Sequence, residues 1–375
     1  MHFIIAQAMM KYCHDNKSLY AKARHICLAS RLIKQRVVHR LKYRKVLCQA
    51  AQTAAQSGAR PTALLYFRHC LDLLQDNCWD ENGIDVCYDE TRQLHLATAE
   101  MLWSQGHSGE ALDLLEEVFN HAQNAACKSR AWILKSKIYA QAGNHYGAMN
   151  SLLTGLEELG VYLQAPSSYE ECDAAYDKLR EYLKTADFDE IIQRPVSEDA
   201  NVMAIGTVMA EAMAVTYWDD ALTFLRMAIE MVNLHLFRGG FTQITIGCSH
   251  LAMISFSRFK DLELGARLSD LAVALLERFS DTWTQSRGYT VHNLYVSHLR
   301  TPIRSTLPAL ESSLEASFSI GDPFMTLISL SAMAMARLYL GQDMADLEAF
   351  CTDSPEDIAD WTDDTRGGAS LLAVR

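Results

Sequence analysis

The sequence has few of the residues that interrupt helices. Only seven prolines occur in 375 residues, at positions 61, 166, 195, 302, 308, 323 and 355. The long stretches between them lack the residue that removes a backbone donor and clashes with the preceding turn. Ala, Leu, Met, Glu and Gln are plentiful there, whereas alternating runs of β-branched residues are rare. This composition predicts an all-α protein.

The ten cysteines include no CxxC pair, and the closest are Cys70 with Cys78 and Cys78 with Cys87. This spacing argues against the usual zinc sites and disulfide frameworks, and it is typical of small buried thiols in a reducing compartment. The opening MHFIIAQAMMKYC lacks the basic region and small-residue cleavage site of a secretory signal. No apolar run approaches the length of a membrane span. We therefore expect a cytoplasmic protein that makes no membrane contact.

Acidic residues are nearly absent from the first sixty positions. Residues 1–60 contain 12 Lys or Arg against a single acid, Asp15, whereas the remainder contains 22 bases against 45 acids. A basic arm can bind nucleic acid. Apolar residues recur at helical spacing in RLIKQRVVHRLKYRKVL (31–47), which instead predicts one amphipathic helix whose solvated basic face docks on acidic protein. No base-reading motif accompanies the charge, so we favour the protein partner over nucleic acid.

A glycine, an alanine and a large apolar residue recur at fixed offsets. The three copies are Gly58, Ala63 and Phe67; Gly106, Ala111 and Leu115; and Gly143, Ala148 and Leu152. In a helix–turn–helix repeat, the glycine ends the first helix and the alanine lets the second helix cross it closely. Such pairs stack to bury their apolar faces. The surplus between the first two copies, residues 75–90, is predicted to be a longer acidic loop.

Charge and helical periodicity divide the chain into five segments. We expect a basic helical segment at 1–50, a first repeat block at 51–165, an acidic connecting segment at 166–200, a second repeat block at 201–350 and a truncated tail at 351–375. Within the connecting segment, a short helix is predicted from about 168 to 184, with Ser167 or Ser168 as its N-cap. Gly265 and Ala266 mark a helix crossing in the second block, and Gly341 with Phe350 restores the glycine spacing.

These glycine–alanine pairs resemble degenerate tetratricopeptide (TPR) repeats, which implies an α-α superhelix. Four longer segments are similar to the helical-repeat region of large multidomain sensor kinases of bacteria and of the fungal hybrid histidine kinase type. The segments are ARHICLASRLI, GARPTALLYFRHCLDLLQDNCW, AGNHYGAMNSLLTGLEELGVYLQAP and FRGGFTQITIGCSHLA. In that family a protein-kinase-like domain and a P-loop signalling ATPase precede the repeats, and a GAF domain and a histidine kinase follow them.

The catalytic motifs of that family have no counterpart in this sequence. It contains no GxxxxGK[ST] loop, no kinase glycine-rich loop, HRD or DFG, and no histidine-kinase phosphoacceptor helix or glycine boxes. The resemblance therefore implies a non-catalytic scaffold or regulatory arm that takes part in signal transduction by holding its own ATPase or kinase domains. A free-standing adaptor for a peptide or protein is the alternative, and an enzyme with a helical toroid is a third.

No residue is assigned a catalytic, cofactor-binding or metal-binding role. The thirteen histidines give no ligand spacing, since His292 and His298 are six residues apart and adjacent His–Cys pairs point to different sides of a helix. Those pairs are His14 with Cys13, His25 near Cys27 and His69 with Cys70. Clustered acids are predicted to be helix caps and first-turn residues: Asp219 and Asp220 after Trp218, and Glu170, Glu171 and Asp173. The turn Arg238–Phe241 (RGGF) is either a tight corner between helices or a hinge that contacts a partner.

Overall fold

The computed structural model describes residues 1–13, 16–356, 358 and 361–375. Within these residues the regular secondary structure is helical, and the only β-type pairing is an isolated bridge between Val196 and Gly240. The chain forms two compact units, Met1–Glu158 and Leu159–Arg375. The predicted all-α class is confirmed.

Leaving aside residues 14 and 15, which are not described, the first unit contains eight α-helices. They are α1 (His2–Tyr12), α2 (Leu19–Arg36), α3 (Leu41–Gln56), α4 (Arg60–Asp72), α5 (Tyr88–Trp103), α6 (Ser108–His121), α7 (Ala125–Gln141) and α8 (His145–Glu158). Helices α3 and α4, α5 and α6, and α7 and α8 pack as successive pairs, and α5 also packs against α7 in the next pair. This is the stacked helix–turn–helix arrangement of TPR-like repeats.

The repeated glycines end the first helix of each pair. Gly58, Gly106 and Gly143 have φ angles of 77°, 81° and 73°, in the left-handed region that glycine adopts without strain. At Gly106 the His107 N–H donates to the Leu102 carbonyl (2.9 Å) and the Gly106 N–H donates to the Trp103 carbonyl (3.0 Å). These are the two hydrogen bonds of a Schellman cap.

The repeated alanines lie where the helices of each pair cross. Ala63, Ala111 and Ala148 are completely buried, and the apolar residues four positions later are buried with them. A larger side chain at these positions would push the paired helices apart. The predicted packing role of the glycine–alanine offset is therefore confirmed in all three copies.

The predicted single helix over residues 31–47 is wrong. Helix α2 ends at Arg36 and α3 begins at Leu41, and Val37 between them is extended. The Asp85 carboxylate accepts hydrogen bonds from the backbone N–H groups of Arg40 (2.8 Å) and Leu41 (3.2 Å). Two β-branched valines disfavour continuation of α2, and a carboxylate from the acidic loop is available to satisfy the first amides of a new helix.

The second unit contains eleven α-helices within the described residues. They are α9 (Tyr169–Thr185), α10 (Phe188–Gln193), α11 (Ala200–Asp219), α12 (Ala221–Phe237), α13 (Ile244–Ile254), α14 (Leu262–Arg278), α15 (Thr282–Tyr295), α16 (Leu307–Ile320), α17 (Pro323–Tyr339), α18 (Met344–Asp353) and α19 (Gly367–Val374). A π-helical turn, Ser255–Phe259, extends α13. Consecutive helices α11 to α17 pack as neighbours, and α13, α15 and α17 also contact one another as alternate helices.

The acidic segment 166–200 is part of the second unit. Helix α9 matches the predicted helix, and the Ser168 side chain accepts from the Glu171 N–H at 3.4 Å, so the predicted cap is confirmed. Helix α9 packs against α12 and α14. Its Tyr176 ring stacks on Phe259 at 3.7 Å and its hydroxyl donates to Ser255 Oγ at 2.9 Å. The segment therefore contributes to the packed interior of this unit.

One further expectation for this unit needs correction. Helix α11 is long and apolar enough to cross a membrane by length and composition, although the sequence analysis found no such run; 61% of its apolar window is buried within the unit, as in a core helix. In the tail, α19 is a packed helix, because Leu371 is completely buried and Gly367 fits closely against the backbone of Leu327. Residues 357, 359 and 360 of the tail lie outside the described residues.

Candidate functional site

The basic N-terminal region separates into buried and exposed cations. Arg44 is 1% exposed and forms ion pairs with Asp85 (2.7 Å) and Glu90 (2.7 Å). Burial alone would raise the pKa of Asp85, but hydrogen bonds from the Arg40 N–H and the Arg44 guanidinium hold it below its ordinary value. Arg40 also donates to the carbonyls of Leu73 and Leu74. The predicted acidic loop 75–90 ends earlier than expected, because α5 begins at Tyr88. Asp85 of the loop and Glu90 of the first turn of α5 therefore bind the basic region within the same unit.

The largest group of exposed cations in residues 1–60 lies on α2, which carries four of the nine. One face of this helix carries Tyr20, Arg24, Leu28, Arg31 and Leu32, which we call the α2 face; all five are exposed, Leu28 by 57%. These positions recur at intervals of three and four residues, so they share one side of the helix. The opposite side is buried in the core of the unit through Ala23, Ile26, Ala29 and Ile33. The α2 face thus presents basic and apolar side chains from a firmly packed helix.

A pocket lies within the second unit, between α11, α13, α15 and α17. Its volume is about 490 Å³, including its open mouth. Each helix contributes residues spaced three or four apart, so one face of each helix lines the pocket. The lining residues are Ala210, Met213, Ala214, Tyr217, Trp218, Ile246, His250, Arg287, Thr290, Val291, Leu294, Tyr295, Phe324, Met325 and Ile328.

Aromatic rings form one wall of this pocket. The Tyr217 ring lies 4.9 Å from that of Tyr295 and 5.1 Å from that of Trp218. His250 lies 6.0 Å from Tyr295 and 4.9 Å from Phe224. Burial lowers the pKa of His250 to about 3, and burial together with Tyr217 raises the pKa of Tyr295. Both side chains are therefore uncharged near neutral pH.

The charged side chain in the pocket is paired with two carboxylates. Arg287 is 3% exposed and donates from Nη2 to Glu211 (2.9 Å) and Asp322 (3.0 Å). Burial lowers the pKa of Arg287, but the two carboxylates more than offset this and raise it. By contrast, His250 Nδ1 and Arg287 Nε have no hydrogen-bond partner among the described residues.

The histidines considered from sequence do not converge. His25 Nδ1 lies 2.8 Å from His2 Nδ1, His69 lies 3.8 Å from Asp72, and His292 is buried near Ser249. His298 is exposed on a different turn. His14 lies outside the described residues, so its position relative to Cys13, a pair rejected as metal ligands from the sequence, is not described. In the described part of the chain, no group of three or more His, Cys, Asp or Glu residues could hold a metal ion. All ten cysteines are free thiols.

The clustered acids act mainly as caps. Asp220 accepts from the N–H groups of Leu222 (3.1 Å) and Thr223 (3.0 Å) at the start of α12, and Glu171 accepts from the Ser167 N–H (3.0 Å) in the first turn of α9. Asp173 instead forms a bidentate ion pair with Arg258 at 2.8 Å. The predicted structural role is confirmed for Asp220 and Glu171.

The RGGF turn contacts its own unit. The Arg238 guanidinium donates to the carbonyls of Gly160 and Leu159, both at 2.9 Å, and the Ser197 N–H donates to the Gly240 carbonyl at 2.8 Å. A side chain at Gly240 would collide with the Pro195 carbonyl, which explains the second glycine. This geometry is that of the tight corner.

The sequence analysis did not identify the pocket. Its residues come from four helices, and Glu211 and Arg287 lie 76 positions apart in the chain. The available signal was a charged residue within an otherwise apolar helical run, since Glu211 interrupts VMAIGTVMAEAMAV. An acid in such a position requires a buried partner, but the sequence does not reveal which base supplies it.

Comparison with known proteins leaves the chain without an assigned family. No protein-family model matches it, and no curated protein does. Among solved structures, a monomeric mutant of IFIT1 with Gppp-AAAA is similar over 90% of this chain and 68% of that chain, with 13% sequence identity and a TM-score of 0.27. This likeness is too distant to bear on partners or ligands. The chain is an all-α protein built from TPR-like helical pairs.

Proposed function

We propose that this chain is a non-catalytic helical-repeat scaffold that binds an acidic protein partner through the α2 face. The observation that supports this most directly is the combination of exposed Arg24 and Arg31 with exposed Leu28 and Leu32 on one side of a packed helix. A helix held rigidly on its buried side gives up little conformational freedom when a partner covers its other side.

The partner's chemistry follows from the composition of the α2 face. Exposed apolar side chains between two arginines suit a surface or helix that carries both carboxylates and apolar residues. Nucleic acid fits less well, because phosphates make no use of Leu28 and Leu32. Arg40 and Arg44 of the basic region are also already bound within the first unit. The partner is therefore a protein, as predicted from the sequence, but it binds the α2 face and not the single helix that was predicted at 31–47.

We further propose that the partner is another domain of the same signalling protein, so that the repeats serve as a regulatory arm in a cytoplasmic sensor kinase. The support for this context is the similarity of four sequence segments to the repeat region of such kinases, together with the absence of P-loop and kinase motifs from the sequence. On this proposal, catalysis and phosphorelay belong to the domains that the repeats hold.

The test is a pull-down of this chain with separately expressed ATPase and GAF–histidine-kinase segments of a full-length relative. We expect binding to one segment that weakens as salt rises from 50 to 500 mM, because surface charges are screened over shorter distances. Reversal of charge in Arg24→Glu and Arg31→Glu should abolish it. The control is Arg130→Glu, an exposed arginine of α7 in the same unit.

The outcomes separate the alternatives. Loss of binding in the α2 variants but not in Arg130→Glu would support the regulatory arm. A folded chain that binds neither segment would contradict the sensor-kinase context and favour a free-standing adaptor. Binding that is equally sensitive to Arg130→Glu would show that overall charge, rather than the α2 face, drives the interaction.

A further inference from the structure

The pocket of the second unit has the chemistry of a small-molecule site. Beyond the proposed scaffold function, we propose that it binds a flat, uncharged aromatic compound with one hydrogen-bonding group, held against Tyr217 and Tyr295 and hydrogen-bonded to His250. The α2 face lies in the other unit, so a negative result for one proposal does not contradict the other.

The shape of the pocket favours a flat ligand. A few polar side chains, among them His250 and Thr290, interrupt an otherwise largely apolar lining, which is the composition usual for small-molecule sites. Tyr217, Trp218 and Tyr295 offer ring faces and edges 4.9 to 5.1 Å apart, and Trp218 is 43% exposed at the edge of this wall. Aromatic rings pair best with another ring placed in an offset or edge-to-face arrangement.

The electrostatics exclude a charged ligand. The one charged side chain in the lining, Arg287, is already bound by two carboxylates. An anion would have to displace Glu211 or Asp322 from Arg287, and a cation would have to compete with Arg287 for those two carboxylates. A charged ligand would therefore lose its hydration without gaining a free counter-charge, which is costly in a pocket this apolar.

The polar contact comes from His250. This ring lines the pocket, is enclosed by Phe224, Tyr217 and Tyr295, and has no hydrogen-bond partner at Nδ1 among the described residues. A buried polar atom of this kind is normally satisfied. Nδ1 is shielded from solvent, so the imidazole ring must turn toward a ligand N–H or O–H to accept a hydrogen bond from it, and a hydrocarbon of the same shape offers no such bond.

Indole is a suitable probe, because it is flat, neutral and has one N–H donor. Ligand-observed NMR titration of the full chain should show one saturable site with a Kd tighter than about 1 mM. Indole-3-acetate and tryptamine carry the same ring with a negative or a positive charge, and each should bind at least about tenfold more weakly.

Two variants locate the site. Ala214→Phe places a ring in the pocket and should abolish indole binding, whereas Ala200→Leu, on an exposed position of the same helix, should leave it unchanged. His250→Phe should weaken indole by about 2- to 13-fold through the lost hydrogen bond and leave naphthalene, which lacks a donor, unaffected. Thermal melts of each variant establish that it is folded.

Several results would overturn the proposal. They are the absence of saturable indole binding, charged analogues that bind as well as indole, or Ala214→Phe that folds and binds normally. Tighter binding of N-acetyl-tryptophanamide than of indole would mean that the pocket takes a side chain of a partner protein rather than a free compound. Equal losses of indole and naphthalene in His250→Phe would contradict the hydrogen bond to the imidazole.

Discussion

At the scale of single residues, Arg44 is a cation of the basic region that stabilises the fold and is not available to a binding partner. Its guanidinium is enclosed by Asp85, whose side chain is 4% exposed, and Glu90, whose side chain is 18% exposed. The guanidinium donates two hydrogen bonds to the Glu90 carboxylate, one each to the carboxylate and the backbone carbonyl of Asp85, and one to the Leu73 carbonyl, so all five of its N–H groups are used. Removing one member would leave the others buried without compensation.

We therefore expect Arg44→Met to lower the free energy of unfolding by about 3–5 kcal/mol. Lys45→Met, an exposed neighbour on the same helix, should change it by no more than about 0.5 kcal/mol. Urea denaturation followed by circular dichroism measures both. A cost below about 1 kcal/mol for Arg44→Met would mean that Asp85 and Glu90 find solvent when the arginine is removed.

The number of these charges can be read from the sequence, but the ion pairs that they form cannot. Residues 1–60 have a large basic excess and residues 75–90 are acidic, which suggests attraction between them. However, Arg44 is 41 positions from Asp85 and 46 from Glu90, and helical periodicity carries no information over such distances. The same limit explains why the helix break at residues 37–40 was missed, since the capping carboxylate comes from Asp85.

At the scale of helices and turns, sequence rules that act over a few residues predicted the structure better than they predicted the ion pairs. The glycine and alanine of each pair act within one turn of chain, so their offset could be recognised without knowledge of the fold. One pair escaped recognition: Gly321 ends α16 with φ 67°, but the residue five positions later is the buried Thr326 instead of alanine. Its hydroxyl donates to Ser317 Oγ at 3.0 Å, so a polar residue serves at this crossing.

The backbone role of the repeat glycines can be isolated at α5 and α6. We expect Gly106→Ala to destabilise the first unit by about 1–2 kcal/mol, because its φ of 81° is strained for any residue with a Cβ. A Cβ added at this position meets no atom within 4 Å, so the change in unfolding free energy measures backbone strain without a steric clash.

Gly109 provides the matched control for that variant. It lies in the first turn of α6, also meets nothing within 4 Å and does not have a left-handed φ, so Gly109→Ala should stabilise by about 0.5–1 kcal/mol. Chemical denaturation of the two variants should give opposite signs. The same sign for both would contradict the assignment of Gly106 as a C-terminal cap.

At the scale of the whole molecule, the second unit buries three neutral histidines. Burial lowers the pKa of His250 to about 3; burial together with Arg194 lowers that of His235 to about 4, and burial together with Arg300 lowers that of His292 to about 4, each from an ordinary 6.5. The unfolded chain therefore binds more protons than the folded chain between pH 6.5 and about 4, and stability must fall as pH falls through this window.

We expect the free energy of unfolding to be nearly constant above pH 7 and to decline below pH 6.5. The decline should approach about 1.4 kcal/mol per pH unit for each of the three histidines. Denaturant titrations at half-unit steps from pH 7.5 to 4.5 measure it. In His250→Phe the slope should correspond to one proton fewer, and a flat profile down to pH 5 would contradict neutral burial.

The fold class could be predicted because it depends on composition and periodicity, which each helix expresses by itself. The pocket could not be predicted, because Tyr217, His250 and Tyr295 belong to three different helices. In the sequence of its own helix, each of them has the pattern of an ordinary core residue. Only their convergence makes a site, and convergence is a property of packing.

The enclosure of Arg44 also bears on the order of events during synthesis. A ribosome releases residue 44 well before Asp85 and Glu90, at about 5–20 residues per second. During those seconds helices α2 and α3 have no carboxylates to receive Arg40 and Arg44, so burial of the two cations is unfavourable. We therefore expect α3 to complete its packing only after residue 90 has left the exit tunnel, because Asp85 and Glu90 are needed to neutralise the buried Arg44.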